Sequence, residues 1–96
     1  MTDIIRMQSV EPVINGVIKV RWNDGFVGVV DLRSVIASGD MFAFLRNDPQ
    51  RFAKVALETY GHKIYWHDDD GDEIDFGSQS LRDRAERQAE ILRLAS

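Results

Sequence analysis

The chain has 96 residues, 44% of them hydrophobic and 29% charged, with a formal net charge of −4. This length allows one modest core and not two, and the composition is that of a globular chain rather than a disordered one. Cysteine is absent, which excludes disulfides, thiolate metal sites and a cysteine nucleophile, and the acidic balance disfavours non-specific binding to nucleic acid or anionic membrane.

Met1-Thr2-Asp3-Ile4-Ile5-Arg6 lacks the basic region and long apolar stretch of a signal peptide, and nothing approaches the ~20 apolar residues of a bilayer span, so a cytoplasmic location is expected. Ile4 to Val10 leans toward β structure and is expected to end at Glu11-Pro12, where proline removes a ladder donor. Asn15-Gly16 reads as a turn or bulge. Val17 to Trp22 alternates, placing Ile18, Val20 and Trp22 on one face and Lys19 and Arg21 on the other. Asn23-Asp24-Gly25 tolerates a tight turn, and Phe26 to Val30 supplies the second arm of the strongest hairpin signal in the chain.

Leu32, Val35 and Ile36 change the period and predict a short helix ending at Gly39. Met41, Phe42, Phe44 and Leu45 form an apolar knot suited to a lid over the sheet. Asn47-Asp48-Pro49 predicts the start of a brief helix, a capping side chain followed by proline in the first turn. Alternation resumes at Val55 and Leu57. After a turn at Tyr60-Gly61, His62 to Trp66 is a further strand, with His62, Ile64 and Trp66 expected on one face. Asp69-Asp70-Gly71-Asp72 is a hairpin turn into a strand around Ile74. Ser80-Leu81-Arg82-Asp83 matches a capping box and predicts a helix from about Leu81 to near the C-terminus. Its stripe would be Leu81, Ala85, Gln88, Leu92 and Ala95, and Asp83 and Arg87 are spaced to pair.

These elements predict an α+β fold: a small antiparallel sheet of about five to six short strands, short connecting helices and a C-terminal helix. Residues 1–77 are expected to form the body and residues 78–96 a helical extension of the same single domain. The expected core is Ile18, Val20, Trp22, Leu32, Phe42, Leu45, Phe52, Ile64 and Trp66.

The order of motifs resembles the bacterial family described as domain of unknown function 2442. The residues carrying the resemblance are Trp22-Asn23-Asp24-Gly25, Val29-Val30-Asp31-Leu32, Gly39-Asp40-Met41-Phe42, Leu45-Arg46-Asn47-Asp48-Pro49 with Phe52, Ile64-Tyr65-Trp66, the acidic turn closing at Gly71, and Glu73-Ile74-Asp75. The resemblance implies a small cytoplasmic bacterial α+β protein with antiparallel strands. In some relatives the domain precedes a helix-turn-helix domain, and others resemble members of toxin–antitoxin pairs. It supplies no catalytic residue, and this chain has only one helix after the body.

Each candidate site has a plain structural reading beside it. Asp68, Asp69, Asp70 and Asp72 form an acidic turn suited to contact a basic partner, but a calcium loop aligned on Gly71 puts Trp66 at its first position and Gly77 at its twelfth, so the loop pattern fails at both ends. His62 and His67, five apart in a strand, point to opposite faces. The serines sit at turns and helix ends, outside any nucleophile elbow. The aromatics lack the interleaved lysine and arginine of a base-stacking platform, and the tail arginines scatter around the helix axis. No catalytic residue, cofactor or metal ligand is assigned. The sequence points to a non-enzymatic interaction module, with a transcription-linked regulator or antitoxin-like partner as the alternative and a small enzyme third. The expected interaction surface is the tail stripe Leu81, Ala85, Ile91, Leu92 and Leu94. The expected partner is a second copy of the chain or another small cytoplasmic protein.

Overall fold

The computed structural model describes residues 5–95. The protein is α+β, with six antiparallel strands, two short helices, a 3₁₀ segment and a long C-terminal helix among the described residues. The strands divide into two three-stranded sheets. The first is β1 (Met7–Ile14), β2 (Val17–Trp22) and β3 (Val27–Asp31), in that order; the second is β4 (Ala56–Leu57), β5 (Lys63–His67) and β6 (Glu73–Gly77). Between them run α1 (Arg33–Ser38), the 3₁₀ segment Asp40–Leu45 and α2 (Pro49–Phe52), and α3 (Ser78–Ala95) closes the chain.

Strand β1 continues through Pro12 to Ile14 instead of ending at Glu11-Pro12, and Ile4 lies outside the described residues. The pairing explains why. Trp22 donates its amide to Phe26, so alternate β2 residues Val20 and Ile18 also turn toward β3. Pro12 stands opposite Ile18, so its missing donor faces the free edge and no ladder bond is lost. At the other end of β1 the Met7 amide donates to the Gly61 carbonyl, 2.8 Å away, and joins the two sheets. Gly61 has φ +74°, and a Cβ there would lie 2.2 Å from the Met7 carbonyl oxygen; only glycine fits.

Alternation in β2 works as expected: Ile18, Val20 and Trp22 are fully buried, while Lys19 and Arg21 are exposed. The inner faces of both sheets and the helices share one core, and all nine residues expected there are buried in it. Asp48 caps α2 by accepting from the Arg51 amide, with Pro49 opening the helix. Trp66 seals this corner by donating its indole N–H to the Phe52 carbonyl at 3.0 Å.

Three local expectations need correction. His62 lies outside β5 and is exposed, because its amide is drawn to the Glu58 carboxylate at 3.0 Å. Met41 leaves the apolar knot and is 61% exposed. A 3₁₀ segment turns every three residues, so burying Phe42 and Leu45 on one side directs Met41 outward. Helix α3 begins at Ser78, three residues before Leu81, because β6 runs directly into it and the Ser78 amide donates to the His62 carbonyl at 2.8 Å. Ser80 therefore sits inside the first turn, and Asp83 accepts from Gln79, not from Arg87. Among the described residues no helix is long and apolar enough to cross a membrane.

Candidate functional site

Helix α3 is docked by its first half alone. At ~100° per residue, Leu81, Ala85, Gln88 and Leu92 fall along one stripe. Leu81 and Ala85 are buried to within 1%, so both leave the interaction surface expected of them: the body itself covers them. Gly28 makes the close approach possible, since a Cβ there would lie 2.8 Å from the Ala85 Cβ. Arg82 locks the crossing. Its guanidinium grips both Asp24 carboxylate oxygens at 3.0 and 2.8 Å, reaches Glu86 at 2.8 Å, and stacks 4.2 Å over the Phe26 ring. Gln88 is the last anchor, its Oε1 accepting from the Asp31 amide at 3.0 Å on the free edge of β3.

Beyond Gln88 the body ends and the helix continues. Ile91 is 60% exposed, and Leu92 and Leu94 are each 71% exposed. Leu92 occupies the same stripe as Leu81 and Ala85 but has nothing beneath it. Three large apolar side chains on the free end of an anchored helix are the most exposed apolar group among the described residues.

Beside this end runs a groove of about 210 Å³, lined by Asp31, Ser34, Arg84, Arg87, Gln88 and Ile91. Arg33 grips the Asp31 carboxylate at 2.9 and 2.7 Å and holds it below its ordinary pKa. Arg33 is one of five arginines held by partners. Arg46 donates to the Ile36 and Gly39 carbonyls at the end of α1, and Arg51 pairs with Asp69; Arg82 pairs with Asp24, Arg93 with Glu90 and Arg33 with Asp31. Arg84 and Arg87 pair with no carboxylate within 4.0 Å among the described residues.

The acidic turn is built as a turn first. Asp68 Oδ1 accepts from the Asp70 and Asp72 amides, both at 2.9 Å, and Gly71 supplies φ +84°. This brings the carboxylates of Asp68, Asp70 and Asp72 within 4.8 Å of one another, as close packing around a shared backbone nest requires. Asp69 pairs with Arg51 at 2.5 Å. Across the turn lies the 3₁₀ segment, and Asp40, Met41, Phe44, Asp68, Asp69 and Asp70 border one shallow cleft of about 200 Å³. Sequence reasoning missed that surface because it placed Met41 in the apolar knot expected to cover the sheet.

The outer face of the second sheet holds another charged group: Lys63 contacts Glu73 at 2.6 Å and Asp75 at 3.7 Å. The lysine holds Glu73 below its ordinary pKa and is itself raised by it. Each charge is met by its opposite on an open sheet face. A further cleft, about 380 Å³, lies between Asn15, Ile36 and Arg46. Its two arginines, Arg33 and Arg46, are the ones already tied to Asp31 and to the end of α1, and the buried Asn15 Oδ1 has no hydrogen-bond partner among the described residues. The chain matches no protein-family model, no curated protein and no solved structure.

Proposed function

We propose that this protein is a non-enzymatic, cytoplasmic protein–protein interaction module whose contact surface is the free end of α3. The observation that carries this reading is the exposure of Ile91, Leu92 and Leu94 on a helix held rigidly by its other half. Exposed leucines in water forgo roughly 1.5–3 kcal/mol each of possible burial. A helix end with no packing is also marginal in water, so a docking partner stabilises both the side chains and the last turns. Anchoring through Leu81, Ala85 and the Arg82–Asp24 pair presents the end in one orientation, which lowers the entropy lost on binding.

The test uses the full chain as bait beside an Ile91→Asp/Leu92→Asp/Leu94→Asp variant. These side chains are outside the core, so the variant should melt within a few degrees of the parent. Partners or self-association lost in the variant support the reading. Identical capture and identical solution mass for both proteins overturn it.

A further inference from the structure

We propose that the partner of the α3 end is a second copy of this chain, which seats its acidic Met41 surface against the arginine-flanked Ile91 groove. This rests on the interaction reading above and names its occupant.

Two surfaces of one molecule carry opposite charge around an apolar centre. On the first, Ile91 is 60% exposed beside Arg84 and Arg87, the two groove cations without a carboxylate partner. On the second, Met41 is 61% exposed beside Asp40, Asp68 and Asp70. Asp69 is the neighbouring acid that Arg51 already neutralises; Asp40 and Asp70 have no cation within 4.0 Å among the described residues. Six of the 12 basic residues, Lys19, Arg33, Arg51, Lys63, Arg82 and Arg93, pair with a carboxylate of the same chain, whereas Arg84 and Arg87 stand together on one side of the helix beside an exposed apolar residue. Methionine is also the side chain best suited to adapt to an irregular apolar surface such as the Ile91–Leu92 end.

The charge pattern argues against nucleic acid as the occupant. A phosphate backbone approaching Arg84 and Arg87 would meet the Asp31 carboxylate in the same groove and a net charge of −4 behind it. It would also leave Ile91 and Leu92 in water. A second copy meets both requirements with its own Asp40, Asp70 and Met41. If the two surfaces meet reciprocally about a two-fold axis the assembly closes as a dimer, and if they meet in one direction it grows as a ring or chain.

The experiment is sedimentation of the full chain over a wide concentration range, at low and high salt, with three variants. Arg84→Glu/Arg87→Glu, Asp40→Arg/Asp70→Arg and Met41→Ser each change groups outside the core, Arg84 half-buried and the rest exposed, and should fold as the parent does. Each is expected to weaken self-association about tenfold or more, and salt is expected to weaken it in the parent. Mixing the two charge-reversed proteins should yield a complex that neither forms alone. A parent that stays monomeric, or association indifferent to both reversals, overturns the proposal. If the monomeric parent still captures another protein through Leu92, the interaction reading survives and only the second copy is wrong. If nothing depends on Leu92, both fail. Retention of DNA that Arg84→Glu/Arg87→Glu abolishes would overturn the proposal in favour of nucleic acid.

Discussion

Arg82 and Asp24 stand 58 residues apart in the chain and meet in a two-pronged ion pair, with nitrogen–oxygen distances of 3.0 and 2.8 Å. The pair ties the turn of the β2–β3 hairpin to the first turns of α3. Asp24 also accepts from the Phe26 amide at 3.2 Å, so one carboxylate shapes the turn and fixes the helix. Arg82→Ala is expected to cost about 1–3 kcal/mol through loss of the pair and of the stacking over Phe26 and Trp22. Lysine should restore only part of it, because it lacks the planar fork. Denaturant midpoints of the two variants decide the matter; equal midpoints for alanine and arginine would remove the pair from the account of stability.

The same pair sets a pH dependence. Arg82 holds the Asp24 carboxyl below its ordinary value, and Arg33 and Lys63 do the same for Asp31 and Glu73. A carboxylate whose pKa is lower in the folded chain binds fewer protons there than in the unfolded chain. Its contribution is therefore complete above the unfolded pKa and is lost as pH falls through that value toward the folded one. The thermal midpoint should be nearly flat above about pH 5 and drop below about pH 4. Asp24→Asn should lower the midpoint at neutral pH and make the acid slope shallower. Parallel slopes for variant and parent would assign the acid sensitivity to other groups.

Trp22 links the sheet to the helix start. It is fully buried, and its indole N–H donates to the Ser78 hydroxyl at 3.2 Å. Trp22→Ala is expected to cost about 3–5 kcal/mol, mostly as a cavity. Ser78→Ala leaves the ring in place but strands its N–H, at about 1–3 kcal/mol. A calorimetric midpoint unchanged in Ser78→Ala would mean that water or another acceptor takes over.

Gly28 is the contact that lets α3 lie against β3. Its Cβ, if present, would lie 2.8 Å from the Ala85 Cβ and 3.0 Å from the Phe26 ring. Gly28→Ala is therefore expected to cost about 1–3 kcal/mol by overpacking. Adding Ala85→Gly should recover part of that, net of about 1 kcal/mol for glycine inside a helix. A double-mutant cycle with no coupling would show that the clash is relieved elsewhere.

Much of this architecture was legible in the sequence, for reasons that particular residues make clear. Alternation identified Ile18, Val20 and Trp22, and turn chemistry at Asn23-Asp24-Gly25 and Asp70-Gly71 identified the β2–β3 and β5–β6 hairpins. The missed features depend on tertiary context. Pro12 looks like a strand end until one knows that it faces a free edge. Met41 looks like part of the apolar lid over the sheet until the 3₁₀ turn directs it outward. On α3 the periodicity gave the stripe correctly, but nothing local says where the body beneath it stops. Leu81 and Leu92 are the same residue type on the same stripe, and one is fully buried while the other is 71% exposed. Contacts such as Arg82–Asp24 and Gln88–Asp31 join segments more than fifty residues apart, where no local pattern reaches them.

That division of α3 makes truncation the most discriminating test of the tail. Removing residues 79–96 takes Leu81 and Ala85 out of the core and leaves Val30 and Gly28 uncovered, besides discarding the Arg82 pair and the Gln88 bond. Leu81 alone is a buried leucine, worth about 2–5 kcal/mol on truncation, and a chain of this size has roughly 5–15 kcal/mol in total. The short form is expected to lack a cooperative melt. Removing residues 89–96 instead deletes exposed helix, since residues 89–95 are all exposed. It keeps every anchor through Gln88, so it should melt cooperatively within a few degrees of the parent while losing any self-association. A helix shortened at that point frays, and the Gln88–Asp31 bond is the first to feel it; hydrogen exchange at the Asp31 amide should rise in the shorter chain. If removal of 89–96 unfolds the protein, the free end stabilises the body in a way its exposure does not explain. If removal of 79–96 leaves a cooperative fold, Leu81 and Ala85 are not the core residues that their burial makes them.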